Sequence, residues 1–366
     1  MLLLAVALMG IAPGPASASI TEIIDATGDM GENTLNVPGS IAVDSSGNVY
    51  VTGNFSDNVF KITPGGTITE IIDSSGDMGG NTLALPNSVA VDSSGTVYVS
   101  GSVSDNIFEI TSGGTISVIG ATNQPQDVAV ATSGNVYVAA AIGVLEIEPG
   151  GATTTLIDSN GDNMGNPLNS AQDVAVDANG NVYVTGTGSD NAFEITSGGT
   201  ITQIIDSTGD GSGNTLNAPQ DIAVDTAGNV FVVGDGNVFK IEPGGAIIEI
   251  IDVSTSLLTG TSSVAVDASG NAYVAGGSNA VRITPAGAID EIIDGTGDGS
   301  GNTLGIASGI ALDSTGNAYV TGIQMDNAFE ITGPLGIPAL SPSATILLAG
   351  LLAAGAVLAR RLPGTA

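Results

Sequence analysis

Residues 40–52 read Ser40-Ile41-Ala42-Val43-Asp44-Ser45-Ser46-Gly47-Asn48-Val49-Tyr50-Val51-Thr52, and the fold is decided there. Two short runs of β-branched and aromatic residues flank an Asp-x-x-Gly-Asn turn, which predicts a β-hairpin. Working outward, Val59-Phe60-Lys61-Ile62, a Pro64-Gly65-Gly66 turn and Ile68-Thr69-Glu70-Ile71-Ile72 form a second hairpin. The unit thus has four strands, a to d, and it recurs along the chain. The Asp that opens the a-to-b turn stands at 44, 92, 177, 225, 267 and 313, with Ala131 in its place in the third copy, at spacings of 39 to 48 residues. A period near forty-five with four strands per unit is the spacing of propeller blades.

Strand d occurs seven times, at 20–25, 68–73, 116–121, 153–158, 201–206, 247–252 and 289–294. The seventh a-b-c set, ending at Phe329-Glu330-Ile331-Thr332, lacks a d strand of its own. The N-terminal strand must therefore complete the last blade, which closes the ring and leaves no end blade with an open edge. The expected fold is all-β, a seven-bladed β-propeller of four-stranded blades over residues 19–333, with one further transmembrane helix at the C-terminus. Strand c carries a recurring charge, Lys61, Glu109, Glu146, Glu194, Lys240, Arg282 and Glu330. Alternation turns it away from its apolar neighbours, so it is expected on a solvated outer face.

Among 366 residues there are 54 glycines and no cysteine, histidine or tryptophan. No disulfide framework or thiolate metal site can form, and the commonest general base is missing. Catalysis would have to use carboxylates, hydroxyls, tyrosines, backbone groups or a hard metal ion. The formal charge is −32, and outside the C-terminal tail the bases are Lys61, Lys240 and Arg282. So negative a surface repels phosphate backbones, which argues against nucleic acid and toward cations or basic partners.

The two ends read as addresses. Residues 1–18 join an apolar run, Leu2 to Ile11, to Ala16-Ser17-Ala18, the small-x-small form of a signal peptidase site. At the other end, residues 334–343 contain Gly336-Ile337-Pro338-Ala339-Leu340-Ser341-Pro342 and lead into residues 344–361, an apolar run ending at Arg360-Arg361. That run suits a membrane helix with its basic end in the cytoplasm, leaving the propeller outside. The order of motif, apolar helix and basic pair resembles the IPTL-CTERM class of bacterial sorting signals. The resemblance implies an exported protein held at the cell envelope, and a sorting enzyme as one partner.

The repeated Gly/Ser-Ile-Ala-Val-Asp-x-x-Gly-Asn-Val-Tyr-Val-Thr, followed by Ser-Asp-Asn-x-Phe-x-Ile, is similar to NHL repeats across residues 19–333. The resemblance implies a propeller, expected as a monomer, without fixing an activity.

Chemistry is expected in the loops of one face. The d-to-a loops at Asp206 to Asn214 and Asp294 to Asn302 place oxygen-bearing side chains at positions one, three, five and nine, with glycine at six, like the start of an EF-hand loop. Asp206, Thr208, Asp210, Asn214, Asp294, Thr296, Asp298 and Asn302, with Asp73 and Asp77 of a looser copy, are the candidate Ca²⁺ ligands. The acid expected at position twelve is replaced by Asn217 and Gly305. The same residues would equally build Asx-turns that brace a Gly-rich connection. The b-to-c loops carry Asp57, Asp105, Asp190 and Asp326, expected to cap the next strand by bonding local backbone.

These readings favour a noncatalytic, envelope-displayed binding or scaffold module for a protein or glycan. An alternative is a metal-dependent, lactonase-like hydrolase using the central channel; lyases of similar architecture use histidine, which is absent. The strand a starts that would line the channel are Ser40, Ser88, Asp127, Asp173, Asp221, Ser263 and Ser308 or Gly309.

Overall fold

The computed structural model describes residues 18–31, 33–252, 258 and 260–333. They form seven antiparallel four-stranded sheets. The N-terminal strand is β1 (Ser19–Ile24). Blade 1 is β2 (Pro38–Val43), β3 (Val49–Gly53), β4 (Asn58–Ile62) and β5 (Ile68–Ile72), and blade 2 is β6 (Pro86–Val91), β7 (Val97–Gly101), β8 (Asn106–Ile110) and β9 (Ile116–Ala121). Blade 3 is β10 (Pro125–Val130), β11 (Val136–Ala140), β12 (Gly143–Ile147) and β13 (Thr153–Asp158), and blade 4 is β14 (Ala171–Val176), β15 (Val182–Gly186), β16 (Asn191–Ile195) and β17 (Ile201–Ile205). Blade 5 is β18 (Pro219–Val224), β19 (Val230–Gly234), β20 (Asn237–Ile241) and β21 (Ile247–Ile251), and blade 6 is β22 (Ser263–Val266), β23 (Ala272–Gly276), β24 (Asn279–Ile283) and β25 (Ile289–Ile293). Blade 7 combines β26 (Ala307–Leu312), β27 (Ala318–Gly322) and β28 (Asn327–Thr332) with β1.

The closure expected from the strand count is the one observed. β1 pairs antiparallel with β28, Ile20 opposite Ile331 and Glu22 opposite Phe329, with a bulge between Glu22 and Ile24. Asn327 adds a side-chain hydrogen bond to Glu22 Oε1 at 2.8 Å. The inner strands of neighbouring blades pack around the whole ring, including β26 against β2.

Hydrophobic burial holds the sheets together face to face. The second strand of every blade is buried along its length, and Phe60, Phe108, Phe193, Phe239 and Phe329 on the third strands have no solvent exposure. Clusters span blades: Tyr50, Val59 and Ile72 of blade 1 pack with Leu83, Val89 and Phe108 of blade 2 and the loop before it. Each fully buried Phe contributes about 2–3 kcal/mol of transfer free energy.

The hairpin turn closes as its sequence requires. Gly47 takes a φ of 78°, and Asp44 Oδ1 accepts the N–H groups of Ser46 and Asn48, both at 2.9 Å. Asp44 Oδ2 accepts the Tyr50 hydroxyl at 3.0 Å, tying the turn to the core of its own blade. Burial would raise this carboxyl, but the bonds from Asn48, Ser46 and Tyr50 outweigh it and hold it below its ordinary value.

The strand c charges differ from expectation. They are half-buried and most are partnered: Glu194 and Glu330 accept the hydroxyls of Tyr183 and Tyr319 at 3.3 and 3.1 Å, Lys61 lies over the Tyr50 ring, and Arg282 bonds Asp290 at 2.5 Å. The reason is register, which sets each of these charges opposite the aromatic of the second strand, as Tyr50 opposite Lys61. No helix among the described residues is long and apolar enough to cross a membrane. The expected signal peptide, residues 1–18 apart from Ala18, the sorting motif in 334–343 and the apolar segment 344–361 lie outside the described residues.

Candidate binding face around the axial pocket

Strand direction puts the d-to-a and b-to-c loops on one face, and hydrogen bonds between them confirm it. Asp57 Oδ1 accepts the N–H of Leu85 at 2.7 Å, Asp105 that of Gln124 at 2.8 Å, Asp190 that of Ala218 at 2.8 Å and Asp326 that of Val37 at 2.7 Å. Sequence had suggested local capping. Instead each carboxylate reaches the residue leading into the following blade, and Asp326 does so across the ring closure. These loop acids are inter-blade clamps.

A second ring of clamps lies on the axis. Ser40 Oγ accepts the N–H of Val89 and Ser88 Oγ that of Val128, both at 3.3 Å. Asp127 accepts from Val174 at 3.1 Å, Asp173 from Ile222 at 2.8 Å, Asp221 from Val264 at 3.1 Å and Ser263 from Ile310 at 3.3 Å. On six of the seven inner strands one side chain therefore satisfies a backbone donor of the next blade. The seventh position is Gly309, where a Cβ would stand 2.7 Å from the Gly39 carbonyl and 3.0 Å from Thr321 Oγ1. Behind the ring, buried Thr52, Ser100, Thr185 and Thr321 accept the N–H groups of Ser40, Ser88, Asp173 and Gly309.

All seven positions line an open axial cavity of about 570 Å³. Its wall is uneven. On blades 2 to 5 the residue just outside each clamp is a carboxamide, Asn87, Gln126, Gln172 or Gln220, whereas blades 6, 7 and 1 offer Ser262, Ser308 and Gly39. Asp127, Asp173 and Asp221, on three consecutive inner strands, lie close enough that each shifts the others' charge. All three keep some contact with the cavity while surrounded by protein. Burial, then the charges of Asp127 and Asp221, push Asp173 well above its ordinary value. Like charges this close disfavour full ionisation of the cluster, and burial raises all three carboxyls, Asp173 most clearly. The sequence pointed to these channel positions; the carboxamide rim was missed, although its signal is a polar side chain one residue before each axial position.

The candidate calcium ligands lie in exposed loops on the same face, each within its own turn. Asp206 Oδ1 accepts the N–H of Thr208 at 2.8 Å and its hydroxyl at 2.5 Å, and Asp210 accepts Ser212 N–H and Asn214 Nδ2, both at 2.8 Å. Asp294 and Thr296, then Asp298, Ser300 and Asn302, repeat the pattern, as do Asp73 with Ser75 and Asp77 with Gly79 and Asn81. These are Asx-turns in series. The backbone bond from Ser212 holds Asp210 below its ordinary value, and that from Ser300 does the same for Asp298. Among the described residues no three acidic side chains are grouped to hold a metal ion.

A family described as beta-propeller repeat matches residues 31–60 and 165–194, segments that lead into and include most of blades 1 and 4. No curated protein matches the sequence. Among solved structures, the chain is similar to virginiamycin B lyase from Staphylococcus aureus, with 17% identity, a TM-score of 0.67, and coverage of 86% of this chain and 99% of that one. It is also similar to the extracellular domain of a protein described as a hybrid two-component system of B. thetaiotaomicron, with 15% identity, a TM-score of 0.63, and coverage of 88% and 40%. A gluconolactonase from Xanthomonas campestris matches with 14% identity, a TM-score of 0.51, and coverage of 77% and 91%. At such identities the likeness shows the fold alone, and that fold serves lyase, lactonase and extracellular sensor domains alike.

Proposed function

We propose that this protein is a noncatalytic binding propeller, exported and held at the cell envelope by its C-terminal segment, whose ligand engages the loop face over the axial pocket. The carrying observation is that every axial carboxylate already accepts a backbone N–H of the next blade. These acids serve the ring first, each with one oxygen engaged in bonding the next blade. The pocket rim is instead rich in carboxamides, which both donate to and accept from hydroxyls and amides of a glycan or peptide. Likeness to an extracellular domain supports display outside the cell. The test is a glycan and peptide array probed with parent protein and with Gln172→Ala/Gln220→Ala. Signals that disappear in the variant support the reading, and an array indifferent to the substitutions sinks it.

A divalent-ion-dependent, lactonase-like hydrolase is the competing reading; acidic side chains face the open axial pocket, though they are not grouped as a metal site among the described residues. Lactone turnover that needs a divalent ion and vanishes in Asp173→Asn would establish it. Calcium in the Asp/Gly/Asn loops is a separate proposal. It requires that calcium raise the melting temperature of the parent and that Asp206→Ala/Asp294→Ala abolish the rise.

A further inference from the structure

The loop face displays apolar side chains that the fold does not use. Phe55 and Val103, each 67% exposed, stand on the b-to-c loops of blades 1 and 2, and exposed Met325 stands on that of blade 7. Met30 and Met78, each 85% exposed, tip the d-to-a loops leading into blades 1 and 2. The five span an arc of three consecutive blades, and Ile142 on the b-to-c loop of blade 3 and Met164, 84% exposed on the loop leading into blade 4, continue the apolar display beyond them.

Sibling loops give the reason to read this arc as functional. Met30 and Met78 hold left-handed φ values of 58° and 56°, where the equivalent residues of two other loops are Gly211 and Gly299. A non-glycine residue in that region costs about 1 kcal/mol or more. Two loops thus carry both strain and an exposed apolar side chain where glycine serves elsewhere. Phe55 likewise occupies the position held by Gly188 in blade 4, and Met325 that held by Ser56 and Ser189. The display is also rigid, since Phe55 N–H bonds the Asn36 carbonyl at 3.1 Å and Val103 N–H that of Ala84 at 3.2 Å.

Charge selects the occupant. Lys61, Lys240 and Arg282, the bases among the described residues, each stand one residue before the end of a third strand, at the opposite face. Asp29 and Asp77 adjoin Met30 and Met78, and the described loop face carries acids without a base. A second copy docked face to face would bring acid against acid, and an anionic lipid surface would be repelled.

We propose that this arc docks a partner protein segment carrying lysine or arginine interleaved with apolar side chains. The proposal rests on the noncatalytic binding reading and names the partner class for that face. It is tested by fluorescence anisotropy of a labelled peptide of alternating leucine and lysine, titrated with the full chain. The variant is Met30→Gly/Phe55→Gly/Met78→Gly, each substitution copying a sibling loop so that the fold is kept; Met325→Ser serves as a second, independent variant. The expected result is a loss of affinity of about tenfold or more in the triple variant, at an undiminished melting temperature, with weak binding of a serine-lysine peptide by parent and variant alike. Equal affinity of parent and both variants for the leucine-lysine peptide overturns the proposal. So does loss in the triple variant of binding to zwitterionic vesicles, which would make a membrane the occupant, or loss of a dimer in sedimentation, which would make it a second copy. Failure of the noncatalytic reading is distinguishable, because it would appear as lactone turnover that the triple variant leaves unchanged.

Discussion

Asp57, Asp105, Asp190 and Asp326 all hold left-handed backbone and all accept a backbone N–H of the following blade. Each is a charged acceptor for a donor that has no other fixed partner, so Asp57→Ala is expected to cost about 1.5–3 kcal/mol in urea unfolding. Phe193 tests the other component of inter-blade adhesion. Fully buried among residues of blades 3 and 4, it is expected to lose about 3–5 kcal/mol as Phe193→Ala, by the same measurement. The buried Phe positions are legible from alternation alone, because period-two patterning is local. The clamps are not, since Asp57 and Leu85 are 28 residues apart and an Asx signal in sequence says nothing of which blade supplies the donor. The third blade shows how substitutions travel: with Ala131 in place of the turn aspartate, Asn135 and Tyr137 bond Glu146 instead. A charge expected in solvent thereby becomes an acceptor within the blade.

At the scale of the strand, β1 is the element whose role was clearest in advance and whose loss matters most. Counting units was enough to require it, because an incomplete seventh blade has one possible supplier. Its side chains are then fixed by pairing, with Ile24 buried against Leu35 and Ile41 of blade 1. Ile24→Asp is expected to separate β1 from blade 7 and expose the β28 edge, giving a lower melting temperature and oligomers in analytical sedimentation. A variant that stays monomeric with parental melting would mean that β1 adds little to closure. The d-to-a loops were legible in composition but left two readings open, calcium loop or Asx-turn. The structure adds the bonds by which these turns close on their own N–H groups.

For the whole molecule, the axial acids set an unusual pH dependence. The raised folded-state pKa of Asp173 means that, from about pH 4 upward, the unfolded chain gives up a proton the native ring retains, so stability falls as pH rises through the folded value. Asp77, Asp210 and Asp298 act in the opposite sense: their turn hydrogen bonds lower the folded pKa, and that stabilisation is lost as pH falls below about 4. The melting temperature is therefore expected to peak at mildly acidic pH and to decline as the pH rises from there. Asp173→Asn should flatten the alkaline limb while leaving the acid limb in place, and parallel limbs in parent and variant would contradict the raised carboxyl. Sequence placed Asp127, Asp173 and Asp221 at the channel but not against one another, because that convergence exists only once three consecutive blades fan around an axis. The same circular topology orders events during synthesis. The first strand leaves the ribosome long before the three it must join, so the chain waits as an open arc with two adhesive edges until its final hairpin emerges. Only then can the molecule become a single cooperative body, and factors that guard nascent chains have the whole of that interval to act.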